Sequence, residues 1–303
     1  MRKCVLLPAA AVAGGVVGLV VRRVYLANGF EAGTGLPIAG APSLWAMAIV
    51  TVVVLGLLVA LSCGKHKNYT QCYTGAFYSE HTVCIAGMLT GAVLLGVGGF
   101  LALANWFSSP SLGLMEKPLR RELSVTWLYL GIFCLLAAAG IYFVTQKMRR
   151  KEPILTAWAA MPTLAGCLWV VANYYDHWAE EPVLGHYAIP MLATGLSMLG
   201  CMMIGAMGFD KARVSTTLAF SLSGASVCIM ALADGLNWAN TAILLGMVFY
   251  QLSMASALIA NDDRAPGLPA CAAHCKQCHG CAPMGTLKKN KKKAKKKTNE
   301  SGK

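Results

Sequence analysis

Charge is scarce in this sequence. Asp, Glu, Lys and Arg make up 13% of its 303 residues, whereas a soluble globular chain carries about 25%. With 56% apolar residues and a mean hydropathy of +0.56, the deficit points to lipid as the solvent, and nothing marks a separate soluble domain. The apolar runs also lack ionisable groups: no Asp, Glu, Lys, Arg or His lies near the middle of any of them. Such groups are costly in lipid and mark proton relays and ion pathways where they occur. Their absence weighs against a proton pump or a carboxylate-coupled carrier. It leaves room for a carrier that holds its substrate with backbone carbonyls and hydroxyls.

What is present is a series of apolar segments. A membrane helix needs about 20 predominantly apolar residues, and eight stretches qualify: 5–21, 43–61, 82–106, 124–145, 154–172, 187–209, 215–233 and 240–260. The expected fold is an all-α membrane protein, a bundle of eight transmembrane helices over residues 1–263. The first stretch is the shortest. Met1-Arg2-Lys3 before an apolar run, with Ala11-Val12-Ala13 following, also has the form of a secretory signal, which would leave seven spans. The run continues to Val21, and Arg22-Arg23 is read as its boundary, so a retained helix is the preferred reading.

Eight spans put both termini on one side. Without the tail, that side carries ten basic residues (Arg2, Lys3, Lys65, Lys67, Lys147, Arg149, Arg150, Lys151, Lys211 and Arg213) against five on the other. The positive-inside rule then makes the termini cytoplasmic. Arg22-Arg23 and Arg120-Arg121 run against it. The outer loops contain no cysteine, which argues against an exported disulfide framework. Trp106, Trp127, Tyr174, Tyr175, Trp178, Tyr187 and Trp238 fall near the outer ends of spans, where amphipathic rings favour the headgroup level.

Inside the spans, Gly14 with Gly18 and Gly87 with Gly91 have the four-residue spacing that lets helix backbones approach. Pro162 and Pro190 are expected to kink their helices and free carbonyls that neighbours must satisfy. Gln251 is the most polar intramembrane position, and an interhelical hydrogen bond is its simplest role. On the outer side, His177, Glu181 and His186 are reasonable metal ligands, but their spacing matches no established motif.

The chemically pointed segment lies at 264–287. Cys271, His274, Cys275, Cys278, His279 and Cys281 place six soft or borderline ligands within eleven residues. Thiolates and imidazoles at two- and three-residue spacings suit a tetrahedral zinc or another soft transition metal. An iron–sulfur cluster is a second reading. Cys275 to His279 also matches the C-x-x-C-H haem pattern, although covalent haem belongs on the other side of the membrane. Reduced thiols on an unstructured tail are the plain alternative. Residues 288–303 begin with eight lysines between Lys288 and Lys297. This stretch has too few apolar residues to fold alone. It suits anionic lipid headgroups, at about 1 kcal/mol per lysine near the surface. With no aromatic residue interleaved, it offers no means of sequence-specific nucleic-acid readout.

Arg22-Arg23, Gly29-Phe30-Glu31 and Thr34-Gly35-Leu36-Pro37 resemble uncharacterised multi-span membrane proteins of anaerobic Firmicutes, over the stretch up to about Ala60. The resemblance implies a bacterial inner membrane and carries no activity with it. No catalytic constellation is present. The functional readings are a membrane protein with a metal-binding cytoplasmic tail, a small-molecule carrier, and an anchor subunit of a redox complex that binds a protein partner.

Overall fold

The computed structural model describes residues 3–31, 36–38, 40–64, 76–77, 79, 81–108, 118–150, 156–175, 183–209 and 213–262. Eight long helices account for most of these: α1 (Lys3–Asn28), α2 (Pro42–Ser62), α3 (Thr82–Ser108), α4 (Pro118–Arg150), α5 (Thr156–Asn173), α6 (Leu184–Ala206), α7 (Val214–Ala231) and α8 (Trp238–Asp262). Seven are long and apolar enough to span a bilayer. The eighth, α5, has 18 residues and is about 27 Å long at 1.5 Å per residue, close to the roughly 30 Å of a hydrocarbon core. The only bridge between extended residues among those described joins Phe30 to Pro37.

Helix limits follow local chemistry. Pro42 opens α2, where the missing N–H costs nothing and the fixed φ suits the first turn. Gly235, with φ of +66°, ends the short 3-10 turn Leu232–Asp234 after α7. Asn237 then caps α8 by accepting the Asn240 N–H at 2.8 Å. One expected limit is wrong. Arg22-Arg23 does not stop the first helix, which runs on to Asn28. The reason is that Arg22 is only 1% exposed, so its charge is satisfied inside the protein.

The helices alternate in direction. The end of α1, the start of α6 and the end of α7 meet around Arg22, here called the Asp234 end. At the opposite end, which carries Arg213, the Ser215 hydroxyl at the start of α7 donates to Ser62 O at the end of α2. Helices α3 to α8 pack in sequence, and α8 closes against α3. Helix α1 lies against α7 and α8, with α2 outside it. Helix α7 is the centre: 14 of its 18 residues are buried. Helix α2 turns Ile49, Val52, Val53 and Leu57 outward, as a helix solvated by lipid does.

Small residues set the closest contacts. A Cβ added at Gly91 would come 3.0 Å from both Gly246 O and Tyr250 N, so α3 and α8 touch backbone to backbone. Gly99 on α3 and Gly131 on α4 meet the same way, each with a hypothetical Cβ 2.9 Å from the other's carbonyl oxygen. The expected Gly14 and Gly18 contacts are made to Val54, Ser226 and Met230. Pro162 frees the Trp158 carbonyl, which faces the bare Cα of Gly140 on α4.

Candidate functional site

Three polar clusters break the apolar interior, and the first surrounds Arg22. Pro190 has no N–H to give the carbonyl four residues earlier, His186. Arg22 takes that place: Nη2 donates to His186 O at 2.8 Å and Nη1 donates to Gly185 O at 2.8 Å. Its Nε donates to Asp234 Oδ1 at 3.0 Å, and Nη2 closes an ion pair on the same oxygen. The guanidinium also lies 5.4 Å from the Tyr25 ring centre. Phe30 covers the cluster, 5.0 Å from Tyr25 and 4.2 Å from His186 between ring centres. One arginine thus ties α1 to α6 and α7, and a proline-broken turn is repaired from another helix. Two buried atoms here, Tyr25 Oη and Asp234 Oδ2, have no partner among the described residues.

The second cluster joins α5 to α8. Trp169 Nε1 donates to Asn240 Oδ1 at 2.8 Å, and Asn240 Nδ2 donates to Asn173 Oδ1 at 2.7 Å. Asn173 Nδ2 returns to Trp169 O at 2.9 Å. Beside it is a cavity with room for about one water molecule, lined by Asn173, Pro190, Thr194, Asn240 and Leu244. This closed ring of an indole N–H, two side-chain amides and the Trp169 carbonyl locks helix register and offers a water-sized guest both donors and acceptors.

The third cluster is at Gln251, which is fully buried. Its Nε2 donates to Ser197 O and Ser197 Oγ, both at 2.8 Å, and lies 3.5 Å from Cys201 Sγ. The interhelical role expected for Gln251 is therefore met, between α8 and α6. Its head sits between Gly200 and Gly224: a Cβ at Gly224 would come 2.7 Å from Oε1. That oxygen has no hydrogen-bond partner among the described residues.

Cys271, His274, Cys275, Cys278, His279 and Cys281 lie outside the described residues, as does the Lys288 to Lys297 run. Of the outer trio, His186 is described and packs against Phe30, while His177 and Glu181 are outside. Among the described residues no three His, Cys, Asp or Glu converge as a metal group. Cys63, Cys84, Cys134, Cys167, Cys201 and Cys228 are not joined in disulfides. Sequence reasoning missed the Arg22 and Trp169–Asn240–Asn173 clusters, though the Pro190 rule pointed to a free carbonyl at His186. Comparison with protein-family models, curated proteins and solved structures returns no match.

Proposed function

We propose that the bundle is a membrane anchor for the Cys/His segment, which takes up zinc or another soft transition metal at the cytoplasmic face. The observation that carries this reading is six ligands, Cys271, His274, Cys275, Cys278, His279 and Cys281, within eleven residues. Four thiolates alone complete a tetrahedral site, and either histidine can replace one of them. The lysines from Lys288 to Lys297 begin seven residues after Cys281, and nearby cationic charge favours thiolate over thiol. The same lysines hold the segment against anionic headgroups.

The orientation rests on the distribution of Lys and Arg. Ten basic residues outside the tail share a side with both termini, against five opposite, and one of those five, Arg22, is neutralised by Asp234. The positive-inside rule therefore places both termini in the cytoplasm, and the N-terminal resemblance implies a bacterial inner membrane. Support for an anchor rather than a carrier comes from the backbone contacts at Gly91–Gly246 and Gly99–Gly131, which hold α3, α4 and α8 closely together.

The test is elemental analysis with an absorbance spectrum on the detergent-purified full chain. About one zinc ion or other soft-metal ion per chain, lost in Cys275→Ser/Cys278→Ser, supports the reading; intense visible absorption with iron would move it to a cluster. Metal-free protein with freely titratable tail thiols would overturn it.

A further inference from the structure

The cysteines inside the bundle do not all behave as small apolar fillers. Cys201 on α6 and Met247 on α8 are both fully buried, and their sulfur atoms lie 3.6 Å apart. Gln251, one turn along α8 from Met247, brings Nε2 within 3.5 Å of the same Cys201 Sγ. A second pair lies alongside: Cys167 Sγ on α5 is 3.5 Å from Met198 Sδ, and Met198 is three residues from Cys201 on α6. Cys167 is exposed on α5, so the fully buried sulfur pair is Cys201 with Met247.

We propose that Cys201 and Met247 form an intramembrane site for a soft monovalent metal ion of the Cu(I) or Ag(I) class, separate from the Cys/His tail. Thiolate and thioether ligands without oxygen or imidazole select such ions. Two metal–sulfur bonds of about 2.3 Å each need the sulfurs about 4.6 Å apart in a linear site. The pair must therefore open by about 1 Å, which the three rotatable bonds of methionine allow.

Charge decides the valence. One thiolate and one monovalent ion sum to zero, the state a lipid interior tolerates. A divalent ion at the same two ligands would leave a net positive charge where burial costs most. Binding replaces the S–H bond of Cys201 with a metal–sulfur bond and releases the proton to water. One of the two Gln251 Nε2–H groups that serve Ser197 then turns to the thiolate, the supporting role that outer groups play at metal sites. Leu244, three residues from Met247 on α8, lines the water-sized cavity beside Asn240.

The test uses the full-length chain with Cys4, Cys63, Cys72, Cys167 and the four tail cysteines changed to serine and His274 and His279 to alanine, so that these thiols do not compete, purified in detergent under reducing conditions. It is titrated with Ag(I), and with Cu(I) against a competing chelator, and the bound ion is examined by X-ray absorption. The expected result is one ion per chain with a sulfur-only shell, a more than tenfold weaker affinity in Met247→Leu, and no binding in Cys201→Ser. Cys134→Ser, a buried thiol on α4, should bind as before. Absence of any bound ion, a shell of nitrogen or oxygen, or full binding in Cys201→Ser would overturn the proposal. The sulfur shell is read without any core substitution, so misfolding of a variant does not blunt the test. Tail binding is counted separately, as the difference from the same chain with its tail cysteines and histidines restored, so either reading can fail alone.

Discussion

Replacing Asp234 with alanine strands Arg22. The guanidinium is 1% exposed and would keep the Gly185 and His186 carbonyls but lose the counter-charge of Asp234. Removing one member of a buried ion pair costs about 3–5 kcal/mol, because an uncompensated charge remains in a low-dielectric site. Changing both partners, as Arg22→Met with Asp234→Leu, removes that charge and should recover most of the loss. The recovery should be incomplete. Without Arg22 the His186 carbonyl loses the guanidinium N–H that stands in for the helix N–H missing at Pro190, at about 1–3 kcal/mol. Adding Pro190→Ala to the double variant restores an N–H and should regain that remainder. In the unmodified protein the same Pro190→Ala change should gain clearly less, since Arg22 already serves the carbonyl. The assay is reversible unfolding in mixed micelles at rising dodecyl sulfate, followed by tryptophan fluorescence. An Asp234→Ala loss below about 1 kcal/mol would refute the buried-charge argument. An equal Pro190→Ala gain in both backgrounds would refute the repair of α6 by Arg22.

Four further outcomes follow from the same structure. Gly91→Val should separate α3 from α8, since its Cβ alone meets Gly246 O and Tyr250 N at 3.0 Å; size-exclusion chromatography should show loss of the monodisperse protein. Gly224→Ala pushes against Gln251 Oε1 at 2.7 Å and the Leu196 carbonyl oxygen at 3.0 Å, a strain of about 1–3 kcal/mol, and Gln251→Ala in the same chain should relieve the first part but not the second in a thermal-unfolding comparison. Asn240→Leu breaks the bonds to Trp169 and Asn173 together, and should lower stability by about 1–2 kcal/mol while shifting tryptophan emission. A fluorescent protein fused after Lys303 should fluoresce and an alkaline phosphatase fused there should be inactive; the reverse pattern would turn the bundle over.

The parts of this fold that can be read from the chain are those set by local composition. Apolar runs of membrane length predict helices because lipid leaves the backbone no other way to satisfy its polar groups, and the described residues of all eight runs are helical. Gln251 was legible for a related reason: an amide within an apolar run must bond to a neighbour, and it reaches Ser197. Arg22 was not. Two arginines after an apolar run look like a membrane boundary, and the group that neutralises Arg22 lies 212 residues away. Pro190 announces a free carbonyl at His186, but its spacing does not say that α1 will bring a guanidinium to it. The Cys201–Met247 pair shares this character. Each residue alone is ordinary apolar filler, and their chemistry exists only once α6 and α8 are packed together. Where the membrane forbids charge mid-span, this chain keeps its polar chemistry in such cross-helix pairs, and their partners are set by helix packing rather than by spacing along the chain.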